Sequence, residues 1–137
     1  MAPGGTLLFS VWDSIAGNDF VRTLISAFNQ RYGSEALTFF DTPYGWYHLD
    51  TIRAHLEAAG FHSLEFAIVA QPSPSDDARN VALGYLTGTP FSLQLAKYAT
   101  ISLDEAADAI TEAVTQTYGN PPLGAQVQAI FVSARQS

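Results

Sequence analysis

Apolar positions along the chain follow three patterns. Thr6-Leu7-Leu8-Phe9-Ser10-Val11-Trp12 is almost continuously apolar, the signature of a strand buried on both faces. Pro3-Gly4-Gly5 precedes it as a turn signal. Residues 63–71 alternate Leu64, Phe66 and Ile68 against Glu65, Ala67 and Val69, which predicts a strand with one face more buried than the other. Gln126 to Arg135, centred on Ile130, Phe131 and Val132, predicts the last strand.

Between these runs the period changes to that of a helix. Phe20, Val21, Leu24, Ile25 and Phe28 form one stripe, with Asn18 as the cap and Gly33 as the stop. Asp50 reads as the cap of a second helix over 51–59, ended by Gly60, with Ile52, Leu56 and Ala59 facing inward. A third helix is expected from Asp76 to Leu86 with Gly88 as its stop, and a short one after Pro90 through Lys97. Ser102-Leu103-Asp104-Glu105 is a capping box opening a helix to Tyr118, with Gly119 behind it. Phe39 to Tyr47 is aromatic without a period and is broken by Pro43 and Gly45. It reads as an ordered loop with a short extended piece.

The predicted order is β-α-α-β-α-(α)-α-β in one domain, residues 1–137, with a helical insert over about 73–119. Three strands make a small sheet. The first is anomalous, because its two-sided apolar character calls for neighbours that the order does not supply, and an open apolar edge invites self-association.

Composition narrows the function classes. Six Lys and Arg against 13 Asp and Glu give a net charge of −7, a poor match for a phosphate backbone or an anionic membrane. The absence of Cys removes disulfides, thiolate metal sites and Cys nucleophiles. No apolar run reaches the length of a membrane span, and no signal-peptide pattern opens the chain, so a cytoplasmic protein is expected. Only 14% of residues are charged, which suggests that part of the surface is covered.

Several short motifs, taken in order, resemble the late part of class I S-adenosylmethionine-dependent methyltransferases of the ubiquinone/menaquinone-biosynthesis type. Ala2-Pro3-Gly4-Gly5 enters an apolar strand ending Ser10-Val11-Trp12, and Asn18-Asp19-Phe20 opens a helix. Tyr44-Gly45-Trp46-Tyr47-His48-Leu49-Asp50 is similar to the aromatic loop of that family, and Leu56-Glu57-Ala58-Ala59-Gly60-Phe61 to the end of the helix behind it. Leu86-Thr87-Gly88-Thr89-Pro90 resembles a segment of the helical insert, and Ala129 to Arg135 the closing strand.

The resemblance implies an α/β, partial Rossmann-like fold with a three-stranded mixed sheet in the order first, last, middle, and four to five helices. It implies substrate-pocket residues among Trp12, Asn18, Phe20, Tyr44, Trp46, Tyr47, Gly88 and Thr89. The family's Gly-rich cofactor loop and ribose-binding acid do not occur, so no cofactor is expected to bind this chain alone, although the family uses S-adenosylmethionine. The expected function is that of the substrate side of a methyltransferase, inactive by itself. The alternatives are a small apolar-ligand module that dimerises through its open edge, and a fragment without independent function. Expected partners are a second copy, a chain supplying the cofactor half, or a small apolar or aromatic ligand, with neither nucleic acid nor membrane among them.

Each candidate also has a packing interpretation. Trp12 lies at the carboxyl end of its strand, where open α/β sheets bind ligands, yet serves equally as a core or interface residue. The aromatic loop either lines a cavity or packs over the sheet. His48 is the one catalytic candidate, paired at two residues with Asp50, but Asp50 is also explained as a cap. His55 and His62 lack a third ligand at metal spacing, so no metal site is expected. Asp76-Asp77 and Asp104-Glu105 suit first helical turns. Ser14 and Ser26 sit in no nucleophile elbow. Thr87 to Pro90 reads as a lid with Gly88 as hinge, or as a helix stop.

Overall fold

The computed structural model describes residues 4–33, 37–97, 100–121 and 123–136. Ala2 and Pro3 of the entry turn and Pro122 of the last turn lie outside them.

Three strands form one sheet: β1 (Thr6–Trp12), β2 (Phe61–Pro72) and β3 (Gln126–Gln136). The order is β1-β3-β2, first, last, middle. Both contacts are antiparallel, with Phe9 and Phe66 opposite Val132, and Val11 and Ile68 opposite Ile130. The sheet, expected to be mixed, is thus antiparallel throughout, with the central β3 flanked by two outer strands that run the same way. β2 begins two residues before the expected Ser63. A register shift between His62 and Glu65 keeps the pairing going, with Ser63 held at a φ of 52°. Such a bulge twists the strand and lets the earlier pairs form.

Five α-helices fill the connections: α1 (Asp19–Tyr32), α2 (Leu49–Ala58), α3 (Ala78–Gly88), α4 (Phe91–Leu95) and α5 (Leu103–Tyr118). The capping box forms as expected. Ser102 Oγ accepts from the Glu105 N–H, and the Glu105 carboxylate accepts from the Ser102 N–H. Gly33 and Gly119 terminate α1 and α5 at φ values of 103° and 74°, where glycine alone escapes the Cβ clash. α2 starts before the expected Thr51: His48 occupies its N-cap position and Asp50 lies in the first turn, so Asp50 is not its cap. Asp50 still favours the positive end of that helix. α3 is capped by Asp77, whose carboxylate accepts from the Arg79 N–H at 2.7 Å. The Phe39–Tyr47 stretch holds a 3-10 turn over Phe39–Asp41 and no extended piece.

Two apolar clusters result. The larger joins α1, α3, α4 and α5 around Leu24, Phe28, Leu86, Phe91, Ile110 and Val114. The smaller places Ile52 and Leu56 of α2 on Ile130, Val132 and Ala134 of β3, with Leu7, Phe9, Val11 and Phe66 beside them. On the other side of the same strands no helix of the described residues lies over the sheet. Leu8 is 73% exposed and Phe131 49%. β1 therefore has one covered face and one bare face, not the two covered faces its composition suggests. No helix among the described residues is long and apolar enough to cross a membrane.

Candidate functional site

The aromatic loop folds against the carboxyl end of β1. Its path is fixed at Gly45, where an added Cβ would collide with the backbone oxygen of Asp41. The Tyr44 N–H donates to the Phe40 carbonyl at 3.1 Å, which closes the turn that brings them together. Two rings of the loop then reach the strand. Trp12 stacks on Tyr44 at 5.8 Å and 23°. Trp46 stacks on Phe9 at 6.1 Å and on His55 of α2 at 5.9 Å.

Between them lies a cleft of about 490 Å³, lined by Ser10, Val11, Trp12, Thr42, Pro43, Trp46 and Ala129. A second recess of about 420 Å³ lies behind Tyr44, bounded by Ser14, Asp41, Gly45 and Tyr47. Among the described residues no charged side chain lines the first cleft, and Ser10 and Thr42 supply its side-chain hydroxyls. Such a surface can hold and orient a flat apolar group, and offers no ionisable side chain to abstract a proton from it.

Tyr44 is nearly buried, and burial, with the phenol of Tyr85 nearby, pushes its own phenol up to about 12. Burial raises Tyr85 as well. Both stay neutral in ordinary buffers, where a phenol of this kind is no base.

Beneath the cleft, a polar knot fixes the end of β1. Asp13, which follows Trp12, accepts from the Ser14 N–H and from the Gln128 side-chain amide, each at 2.6 Å. Asn18 is buried to 1% exposure and donates to the carbonyl oxygens of Asp13, Ser14 and Gln128. Its own oxygen accepts from the Gln128 N–H at 3.1 Å. Asn18 stands at the N-cap position of α1 without capping it by its side chain. A cross-link to β3 takes the place of the expected cap.

The fold thus gathers Trp12, Tyr44, Trp46 and Tyr47 and separates the other expected residues from them. Asn18 is a buried strut. Phe20 is in the helical core, edge-on to Tyr118 at 5.3 Å. Gly88 closes α3, and Thr89 splints α3 to α4, its hydroxyl donating to the Tyr85 carbonyl and accepting from the Phe91 N–H. Neither lines either recess. His48 is exposed, tilted against Tyr47 at 4.2 Å, with no hydrogen bond to Asp50 among the described residues. Among those residues, no three of His, Asp or Glu are grouped to hold a metal ion.

Ser10, Thr42 and Pro43 line the cleft although the sequence did not place them there, and nothing local in it points to the Asp13–Gln128 contact. Ser10, a polar residue inside an apolar strand, was the one available signal. No protein-family model matches the chain, and no characterised protein matches it either.

Proposed function

We propose that these residues form the acceptor-binding side of a fold like that of class I S-adenosylmethionine-dependent methyltransferases, with the methyl donor held by elements outside them. The observation that carries this reading is the strand order β1-β3-β2, in which the last strand inserts between the first two. That order is what the motif resemblance implies, and it arises here together with the aromatic loop at the carboxyl end of β1.

The cleft does not fit the donor itself. Among the described residues its lining holds no carboxylate for ribose hydroxyls and no glycine-rich loop. The role left to this chain is positional: Trp12, Trp46 and Pro43 would hold an uncharged aromatic or apolar acceptor, and Ser10 and Thr42 would orient it. Holding a nucleophile in line accounts for much of the rate in a two-substrate transfer.

A second reading, a ligand-binding module without catalysis, draws on the same cleft and needs no other chain to act. Two titrations test the proposal. Calorimetry with S-adenosylmethionine to millimolar concentration is expected to give no heat. Tryptophan emission is expected to respond to a panel of neutral phenols and quinones, and to lose that response in Trp12→Ala. One-site donor binding, methylation by the chain alone, or a flat response across the panel would each overturn it.

A further inference from the structure

We infer that the outer edge of β1 and the bare face of the sheet are one composite docking surface for a single strand–helix unit of a basic α/β partner. The inference rests on the reading above for the kind of partner. Its geometry is independent of that reading.

The two edges of the sheet are unlike. β2 is blunted by its bulge, by Ser63 in left-handed backbone and by the charge of Glu65. These are the devices that keep edge strands from pairing. β1 has none of them: Thr6–Trp12 contains no charge, proline or bulge, and among the described residues its backbone ladder is with β3 alone. The bare face adjoins that edge. A shallow groove of about 670 Å³ runs over it, with Leu8, Ser10, Ala67, Phe131 and Ser133 along its floor and Glu65 at its rim.

A second copy cannot satisfy both surfaces. If two copies pair β1 to β1, their sheets become coplanar, and neither bare face covers the other. If the faces stack, both β1 edges stay open. The stacked area is also small: strands of seven, twelve and eleven residues, rising about 3.3 Å per residue and spaced about 4.8 Å apart, cover roughly 480 Å², against about 800 Å² per partner in a stable complex. Charge acts in the same direction, since each copy carries −7. A strand laid along β1 and followed by a helix returning over the sheet covers edge and face together, and a basic unit complements the acidic chain.

The test uses three synthetic probes: a Val/Thr strand, an amphipathic Leu/Lys helix, and the two joined by a short loop. The joined probe is expected to bind a monomeric chain at least about tenfold tighter than either part, because the second contact becomes intramolecular. It should also slow hydrogen exchange in β1. Leu8→Gln, at a largely exposed position, should keep the melting temperature and the strand affinity while removing the gain from joining. A chain that sediments as a dimer at micromolar concentration with β1 amides protected would overturn the inference in favour of a second copy. A joined probe no tighter than the strand would overturn the composite surface. Donor binding by the chain alone defeats the methyltransferase reading and leaves the probe result standing.

Discussion

Asn18 and Gln128, separated by 110 residues, pair as two strand residues would: the Asn18 amide donates to the Gln128 carbonyl at 3.2 Å, and its oxygen accepts from the Gln128 N–H at 3.1 Å. A side chain thereby extends the ladder of β3 past the end of β1. Asn18→Ala leaves the half-buried Gln128 N–H without that partner, while the Gln128 carbonyl keeps the Asp13 N–H at 3.0 Å. It is expected to cost about 1–3 kcal/mol in urea unfolding. Asn18→Asp keeps the acceptor but sets a negative charge against three carbonyl oxygens, and should be no better than alanine.

Gly45→Ala should deform the aromatic loop, because its Cβ meets the Asp41 carbonyl. The expected loss is about 1–3 kcal/mol, the usual cost of overpacking. The more specific readout is the emission of Trp12 and Trp46, which should shift toward that of solvated indole as Tyr44 leaves Trp12. An unchanged spectrum would mean that the loop adapts without moving its rings.

The buried phenol of Tyr44 makes stability fall in strong base. Its ionisation is raised in the folded chain to about 12 from an ordinary 10. The unfolded chain therefore releases this proton first. The contribution is whole below pH 10 and is lost as pH rises through 12, amounting to about 2 kcal/mol over that window. Tyr44→Phe should flatten the decline in urea midpoints measured between those values. Absorbance near 295 nm should show Tyr44 and Tyr85 ionising above the ordinary phenol range.

Ser102→Ala removes the cap hydroxyl of α5 and should destabilise by about 1 kcal/mol. Arg79 bridges Asp104 and Asp108 on the same helix from an exposed position, so Arg79→Ala should cost less than that. Adding 0.5 M salt, roughly enough to screen a surface pair, should erase the Arg79 effect and leave that of Ser102. A salt-sensitive Ser102 effect would contradict this ordering.

Local signals in the sequence were sufficient for β1, α1 and α5, because each is bounded by a residue whose role is short-range: Trp12 before a polar loop, Gly33, and Ser102 with Glu105. Asp50 misled because acids favour first turns as well as caps, and only backbone geometry separates the two. The start of β2 was hidden by a bulge, since an alternating pattern skips when Ser63 adopts a positive φ. Of the candidate site, the aromatics were legible as a group. Which four meet depends on the turn at Gly45, and Asn18 was displaced from its capping role by a contact 110 residues away. The apolar run of β1 signalled a need for cover without distinguishing a helix of the same chain from that of another.

The two apolar clusters are threaded through one another. The chain leaves the sheet cluster after Trp12, returns with Tyr47 and α2, departs again after Pro72 and comes back with β3. Neither cluster is made of consecutive residues, so neither can be cut out with a protease or expressed as a fragment and still close. Hydrogen exchange should therefore find one cooperative unit rather than two foldons.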